Sequence, residues 1–499
     1  MDLGLQFEDI FCYEATAGVT SAHEESLETA IPEYCPDIAR IVDTAGRLMI
    51  REKLIKDDSC VVSGSVKVTV LYTSEEAAGL RSLSISVPFS CTLDDRSLTQ
   101  CGTICAEGRV LLTEARAVTS RKLYIKVLPE ITATGYCAVK RRLCCGVQEE
   151  PSIRTRCCQT ALPLLAAISE KGFTFTDSAL LEEDCKPEDL LLYRMCPTVL
   201  SAQRLGNKLM VKGEMWFHAV YRSEDQALRQ HCCTLPFSQI LDVAELPEDA
   251  EYILCPQLSE CDARILPAET GSGFGLTAHV DVCLKVYQQR NVTYIADLYS
   301  VCYDTTVERQ EVALPTAIPS RLISQEAALR LEFDGEHPFI AVTAVDCTAV
   351  EVMPKENHAA LCLTLHVRLL YLDESGTPVS TERTAELSAE TGEVNGTVTA
   401  HCCQALLQFS GGACQVRLPV IFSISCTGEM SISTISAVTL TDTAVAAGPS
   451  LILCRMTPDE TLWSIAKRYH TDEQAIRGAN QLENDTDAAD HMLLIPRIR

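Results

Sequence analysis

Apolar and polar residues alternate over long stretches of the chain. Between residues 62 and 72, one face carries Val62, Gly64, Val66, Val68, Val70 and Tyr72, and the other carries Ser63, Ser65, Lys67 and Thr69. A period of two residues is typical of a β-strand with one buried and one solvated face. Comparable patterns occur in VTSRKLYIKVLPEITATGY, LTAHVDVCLKVYQ and QVRLPVIFSISC. The sequence therefore predicts a mainly β fold.

The strand pattern recurs at a nearly constant interval. Three apolar strands end at tyrosines that are 149 and 150 residues apart, Tyr72, Tyr221 and Tyr371. Upstream prolines are separated by 151 residues each, at Pro36, Pro187 and Pro338. A period shared by separate anchors indicates tandem duplication. We expect three tandem β-sandwich-like repeats of about six to eight strands each.

The repeats and the segments between them suggest a domain plan. We predict a leader at 1–24, repeats at 25–148, 174–305 and 306–445 with the third degenerate, and a C-terminal domain at 446–499. A linker at 149–173 is predicted to contain a short helix in TALPLLAAISEK. A second short helix is expected around PTAIPSRLISQEAALRL.

The last 49 residues change to a helical period. Apolar residues fall at i, i+3, i+4 and i+7 in one segment, at Leu462, Ile465, Ala466 and Tyr469, and one face of this helix must be buried. A second helix is expected to end at Asn480. With short apolar strands at roughly 451–455 and 492–495, these helices predict a small β-α-α-β domain.

Both helices carry residues that are typical of helix starts. Thr457, with Glu460 three residues later, is expected to cap the first helix, and Asp459 is an alternative cap. Thr471, with Gln474 at the equivalent position, is expected to cap the second helix.

Composition restricts the class of protein and its partners. Apolar residues make up 47% and charged residues 22%, which is typical of a globular protein. The formal net charge of -26 argues against nucleic acid or an anionic membrane as a general partner. The N-terminal segment lacks the features of an export signal, and no apolar run is long enough to span a membrane. We expect a cytoplasmic protein without a transmembrane segment.

The 26 cysteines do not form a recognisable metal motif. No C-x-x-C occurs, and adjacent cysteines in extended segments point to opposite faces. We expect most of them to be free thiols that pack as small apolar residues, and later oxidative cross-linking is the alternative.

No catalytic motif is evident. The ten histidines form neither H-E-x-x-H nor H-x-H, and those in strands, such as His218, are expected to be solvated or hydrogen-bonded. The glycines between 271 and 275 predict a hairpin, because no helix follows that could bind a phosphate. We predict a protein that is not an enzyme, with no catalytic residues, metal or cofactor.

The C-terminal segment resembles a LysM domain. The resemblance rests on PDETLWSIAKRY from Pro458 to Tyr469, on NQL from Asn480, and on DHMLLIP from Asp490 to Pro496. Two family glycines are replaced by Asp459 and Asp490, in the loops where LysM domains usually hold N-acetylated sugars. Because an aspartate adds bulk and charge, the resemblance implies the fold more strongly than the binding of sugar.

The LysM loops and the first helix provide the candidate binding site. Trp463 either packs beside Leu462 or provides an aromatic contact for a partner, and basic residues on the helices form a second possible contact. The expected ligand- or partner-binding residues are Asp459, Glu460, Thr461, Trp463, Lys467, Arg468, Asn480 and Asp490.

The β repeats resemble the SPOCS domain of bacterial endospore coat assembly. The first repeat carries the features of this domain most clearly, in Pro36-Asp37-Ile38, in the strand ending at Tyr72 and in Pro88-Phe89. SPOCS repeats followed by a LysM domain resemble the SipL-like family of clostridial coat-morphogenesis proteins. The resemblance implies an assembly protein that docks onto a coat scaffold protein of the stage IV sporulation protein A type, at the forespore surface in the mother cell. The alternative is binding to peptidoglycan or a chitin-like glycan.

Overall fold

A computed structural model describes most of the 499-residue chain. The described residues are 3–16, 18–56, 58–76, 79–148, 150–182, 185–243, 247, 249–267, 271–332, 339–356, 358–392, 394, 396–402, 404–410, 413–441, 451–457, 459–482 and 492–496. The protein is mainly β, as the alternating pattern predicts.

Three successive segments contain most of the strands. The first contains β1 (Leu5–Ala15), β2 (Val19–Ala22), β3 (Glu25–Ala30), β4 (Arg40–Lys56), β5 (Ser59–Thr73), β6 (Leu80–Leu93), α1 (Arg96–Thr99), β7 (Thr103–Thr119) and β8 (Lys122–Val147). The second contains β9 (Ile153–Leu180), β10 (Pro187–Leu205), β11 (Lys208–Ser223), β12 (Leu228–Asp242), β13 (Ala250–Ile265) and β14 (Gly273–Ser300). We refer to these segments as unit 1 and unit 2.

Unit 3 follows the same order and leads to the C-terminal domain. It contains β15 (Asp304–Glu332), β16 (Ile340–Cys347), β17 (Glu351–Pro354), β18 (Ala359–Leu372), β19 (Pro378–Thr391), β20 (Gly396–His401), β21 (Leu406–Ser410) and β22 (Ala413–Thr441). The C-terminal domain contains β23 (Leu451–Arg455), α2 (Leu462–Arg468), α3 (Glu473–Asn480) and β24 (Met492–Pro496).

Each unit is built from two antiparallel sheets. One is a meander, β4-β5-β6 in unit 1, β10-β11-β12 in unit 2, and β18 with β16, β17 and β19 in unit 3. The central strands of these meanders contain the three tyrosines that reveal the repeat, Tyr72, Tyr221 and Tyr371. In the other sheet the last strand of the unit pairs with its first, so that β8, β14 and β22 pair with β1 to β3, β9 and β15. Buried side chains between the two sheets, such as Val68 and Ile125 in unit 1, form the core of each unit.

The short helices predicted between the repeats are wrong. TALPLLAAISEK lies within β9, which pairs with β14 along its whole length, and the segment around residues 315–331 lies within β15, which pairs with β22. Long-range backbone pairing decides the structure there, because short apolar runs fit a buried helix or a strand equally well. Residues 5–15 and 19–22, expected to belong to a leader, form β1 and β2, and both strands pair with β8.

The three units contact one another pairwise. Ile10, Leu162 and Val312, one from each unit, lie in a single buried cluster. A second shared cluster contains the residues that precede the three tyrosines, Leu71, Val220 and Leu370. Ion pairs cross all three contacts, Glu8 with Arg290, Asp43 with Arg368, and Asp297 with Arg309. The units therefore form a closed arrangement of three.

The cysteines are mostly free thiols among the described residues, as expected. Cys101 and Cys137 form a disulfide within unit 1. His218 is also as predicted, because it is buried and its Nε2 lies 3.3 Å from the amide oxygen of Gln230.

Candidate interaction site

The C-terminal domain has the predicted β-α-α-β order. Strands β23 and β24 pair antiparallel, and α2 and α3 lie between them in sequence. The apolar face of α2 is buried against α3 and β24, in a core containing Leu462, Ile465, Ala466, Ile476, Leu493 and Ile495. Tyr299 of unit 2 is buried in the same cluster, so the core of this domain continues into unit 2.

Helix α2 begins later than the sequence predicts. The Thr461 hydroxyl accepts a hydrogen bond from the Ser464 amide at 3.2 Å, and the Ser464 hydroxyl accepts one from the Thr461 amide at 3.0 Å. Thr457 and Glu460 instead form a preceding turn, in which the Glu460 carboxylate accepts a hydrogen bond from the Thr457 amide at 3.1 Å. Neither Thr457 nor Asp459 caps the helix, because Thr461 is the N-cap residue and Thr457 is hydrogen-bonded to Glu460 instead.

Helix α3 is capped by Asp472, not by Thr471. The Asp472 carboxylate accepts a hydrogen bond from the Gln474 amide at 2.9 Å. Thr471 is fully buried, and its hydroxyl donates to the carbonyl of Pro496. Asn480 ends the helix as predicted.

One acidic side chain of unit 2 joins the C-terminal domain to the β units. The Asp297 carboxylate accepts a hydrogen bond from Trp463 Nε1 at 2.8 Å, and it pairs with Lys467 Nζ at 2.7 and 2.9 Å. Arg309 of unit 3 pairs with the same carboxylate at 2.8 Å. Only 16% of the Asp297 side chain is exposed. Helix α2 of the C-terminal domain and Arg309 of unit 3 therefore meet at the largely buried Asp297 carboxylate of unit 2.

The charge on Asp297 is stabilised by its partners. Burial opposes ionisation, but the hydrogen bonds from Lys467 and Trp463 and the charges of Lys467 and Arg309 outweigh it. The pKa of the Asp297 carboxyl is accordingly lowered from its ordinary value of 3.8. Asp297 therefore stays ionised at neutral pH.

Aromatic packing strengthens the same contact. The rings of Tyr299 and Trp463 meet edge to face, with centroids 4.9 Å apart. The buried Tyr299 hydroxyl donates to the carbonyl of Thr471 at 2.8 Å. Arg154 of β9 pairs with Asp472 at 2.7 Å. The helical side of the C-terminal domain is therefore docked onto unit 2; we call this contact the docking interface.

Several predicted binding residues support the domain itself. Thr461 caps α2, and Arg468 forms an ion pair with Glu460. The Asn480 side-chain amide donates to the carbonyls of Ile476 at 2.8 Å and Leu494 at 2.7 Å, and its oxygen accepts from the Leu494 amide at 2.7 Å. Thr461, Arg468 and Asn480 thus have local structural contacts.

The remaining predicted site residues fall into three groups. Trp463 and Lys467 lie in the docking interface, so the partner that Trp463 contacts in this structure is the chain's own unit 2. Asp459 is exposed in the turn before α2. Asp490 lies outside the described residues. The structure brings Trp463 and Lys467 together at Asp297, whereas Asp459 is exposed to solvent.

The sequence gives no sign of the residues on the other side of the docking interface. Asp297 lies 166 residues from Trp463 and 170 residues from Lys467. Within its own strand, Asp297 is an ordinary polar position, and only the fold brings it to α2. The one available signal is that Trp463 and Lys467 share a helix face at a spacing of four residues.

The opposite side of the domain faces outward. On the sheet surface away from the helices, Leu451, Leu453 and Met492 are 56%, 65% and 59% exposed. Strand pairing places Leu453 opposite Leu494 and Met492 opposite Arg455 on this surface. We call Leu451, Leu453 and Met492 the outer face. An exposed cluster of apolar side chains on a small domain is typical of an interaction surface.

The described residues show neither a metal-ion site nor a membrane-spanning helix. Among them, no group of three or more histidine, cysteine, aspartate or glutamate side chains is arranged to hold a metal ion. In the same part of the chain, no helix is long and apolar enough to cross a membrane.

Comparison with known families identifies two domains. Residues 37–110 match the profile of the SipL, SPOCS domain, and residues 456–496 match that of the LysM domain. The first match begins just before the unit 1 meander and ends within β7, and the second covers α2, α3 and β24. No curated protein and no solved structure matches the chain. The expected combination of a SPOCS domain with a C-terminal LysM domain is confirmed, and both are domains of a binding or structural type.

Proposed function

We propose that the protein is a non-enzymatic assembly protein of endospore coat or envelope morphogenesis. Its LysM domain docks onto a coat scaffold protein of the stage IV sporulation protein A type. The observation that carries the proposal is the orientation of the LysM domain. Its helical side is held by Asp297 and Tyr299, while the outer face points away from the β units.

The chemistry of the outer face favours a protein partner. Leu451, Leu453 and Met492 present apolar surface, and binding a protein would remove that surface from water. A glycan would instead require hydrogen-bonding groups, and the outer face offers few of them. The docking interface fixes the domain in one orientation, which reduces the entropy lost when a large partner binds.

The β units are proposed to serve as the scaffold for this domain. Their closed arrangement provides a rigid body on which the LysM domain is carried at the junction of units 2 and 3. The proposed location is the mother-cell cytoplasm, at the forespore surface or in the spore coat. A net charge of -26 would repel nucleic acid and so favours a protein partner.

Glycan binding is the second candidate. The LysM match supports it, because many domains of this family bind polymers that contain N-acetylglucosamine. Asp459 is exposed in the turn where the family usually has a glycine. Its charge and bulk disfavour close approach of a sugar ring to the backbone.

A binding comparison with the full-length chain distinguishes the two functions. The protein is offered immobilised scaffold protein in one experiment, and insoluble peptidoglycan or chitin in another. We expect capture by the scaffold and little sedimentation with either glycan. Sedimentation with peptidoglycan and no capture by the scaffold would overturn the proposal in favour of glycan binding.

Two leucine substitutions test the surface itself. Leu453→Asp places a charge on the outer face, and we expect it to reduce scaffold capture at least tenfold, a loss of about 1.4 kcal/mol. Leu200→Asp is the matched control, because Leu200 lies in β10 of unit 2 and is 62% exposed, against 65% for Leu453. Equal loss in both variants, or none in either, would count against the outer face.

A further inference from the structure

Two thiols from different units lie against each other. The Sγ atoms of Cys105 and Cys283 are 2.7 Å apart, and the two residues are separated by 178 positions in sequence. Cys105 lies in β7 of unit 1, and Cys283 lies in β14 of unit 2. The fold therefore brings two sulfur atoms together at the contact between units 1 and 2.

The surroundings of this pair belong to the junction of the units. Both thiols pack at the edge of a buried cluster containing Tyr136 of unit 1 and Tyr287 of unit 2. Each of the two cysteine residues is partly exposed. Cys255 is the cross-strand partner of Cys283 on β13, and it provides a competing thiol within unit 2.

We infer that Cys105 and Cys283 form a reversible disulfide that links unit 1 to unit 2. The oxidant is a small-molecule disulfide such as oxidised glutathione. A thiolate of the pair attacks this disulfide, forms a mixed disulfide and releases one glutathione thiol. The second cysteine loses its proton, attacks the sulfur of the first and releases the second glutathione. In total two protein thiols are oxidised and one disulfide reagent is reduced.

A hydrogen bond couples the two thiols. This hydrogen bond is the main reason that the pKa of Cys105 is lowered. Desolvation opposes the effect, and the nearby ammonium of Lys285 adds to it. The same hydrogen bond, together with burial, raises the pKa of Cys283. Because the hydrogen bond couples the two sulfur atoms, either thiol can attack the reagent, and the other then resolves the mixed disulfide.

The link would change how the three units are held together. In the reduced protein, units 1 and 2 are joined by side-chain packing and by ion pairs such as Glu8 with Arg290. The disulfide closes a covalent loop across that contact, and so it restricts the separation of the units in the unfolded chain. After oxidation, the link would oppose separation of unit 1 from unit 2 when the chain unfolds. The inference does not depend on the partner of the LysM domain.

Peptide mapping of the full-length protein tests the link. The reduced protein is incubated with oxidised glutathione, remaining thiols are blocked with N-ethylmaleimide, and the protein is digested with trypsin without reductant. We expect a linked species joining the peptides that contain Cys105 and Cys283, with the Cys137 peptide attached through the Cys101–Cys137 disulfide, and we expect dithiothreitol to separate them. Blocked Cys105 and Cys283 after oxidation, or a link between Cys283 and Cys255, would overturn the inference.

Serine variants assign the sulfur atoms. Cys105→Ser and Cys283→Ser should each abolish the linked species, and Cys255→Ser, the matched control, should retain it. Cys101 shares a tryptic peptide with Cys105, so Cys105→Ser also excludes linkage through Cys101. Oxidation should raise the Tm of the natural chain by on the order of 5 °C more than that of Cys105→Ser, because the Cys101–Cys137 disulfide forms in both proteins. The map of the natural chain remains decisive if a variant fails to fold.

Discussion

Trp463 Nε1 donates a hydrogen bond to the carboxylate of Asp297 across 2.8 Å, and this bond joins the LysM domain to unit 2. Lys467, one turn further along α2, pairs with the same carboxylate. Trp463 and Lys467, which the sequence indicates as residues that bind a partner, thus contact unit 2 of the same chain. The exposed apolar side chains of the outer face lie on the opposite side of the domain.

Acidification should weaken the docking interface through Asp297. The folded-state pKa of its carboxyl lies below the ordinary 3.8, so the stabilisation is present above that value and is lost as pH falls through the folded-state pKa. In a Trp216→Phe background, Trp463 is the sole tryptophan of the chain. We expect its emission to shift to longer wavelength in acid. The difference in emission between this protein and its Asp297→Asn variant should vanish once the pH lies below the folded-state pKa of Asp297, and a difference that stays constant with pH would contradict the prediction.

His218 should make the folding stability of the β units depend on pH, in a higher pH range than Asp297. Burial lowers the pKa of this histidine from 6.5 to about 4. The unfolded chain therefore binds more protons between these values, and stability falls as pH drops from 6.5 to 4, by about 3 kcal/mol in total. Urea midpoints at pH 7, 5.5 and 4.5 measure this slope. His218→Gln should flatten it, and the exposed-site control His279→Gln should not.

Asn480 should matter for the folding of the LysM domain more than for its binding. Its side chain makes two hydrogen bonds to Leu494 that tie α3 to β24, and a third to the carbonyl of Ile476 within α3. Asn480→Ala should destabilise the domain by about 2 kcal/mol, because buried backbone groups lose their partners. Gln481 has a positive φ of 55°, so Gln481→Gly should be neutral or stabilising by a few tenths of a kcal/mol. Thermal denaturation measures both variants: the Tm of Asn480→Ala should fall, and the Tm of Gln481→Gly should stay unchanged or rise.

Much of the fold follows from local patterns in the sequence. Alternation fixes the strands that end at Tyr72 and Tyr221, and helical spacing fixes the apolar face of α2. These features depend on residues close together in the chain. By contrast, β9 and β15 contain runs that fit a helix or a strand, and they become strands because β14 and β22 pair with them. The partner strand of each lies too far along the sequence to be visible locally.

The candidate site was harder to predict for the same reason. The sequence indicates Trp463 and Lys467 as residues that bind a ligand or partner. In the structure both contact Asp297 of the same chain, and binding of a separate partner stays a prediction. The sequence does not indicate Asp297 or Tyr299, because these residues belong to β14 of unit 2. The outer face was also missed, since Leu451 and Leu453 resemble ordinary strand residues until the packing side of β23 is known.

The central claim is that Asp297 holds the LysM domain on unit 2, and a double-mutant cycle between Asp297 and Lys467 tests it most directly. Asp297→Asn and Lys467→Met each remove one charge, and Asn retains an acceptor for Trp463. In the Trp216→Phe background, urea titration of Trp463 emission measures the free energy of releasing the domain. We expect the double variant to lose less than the two single variants together, with a coupling of about 1 kcal/mol or more. Additive effects, with no shift in Trp463 emission, would show that the LysM domain is not held at Asp297.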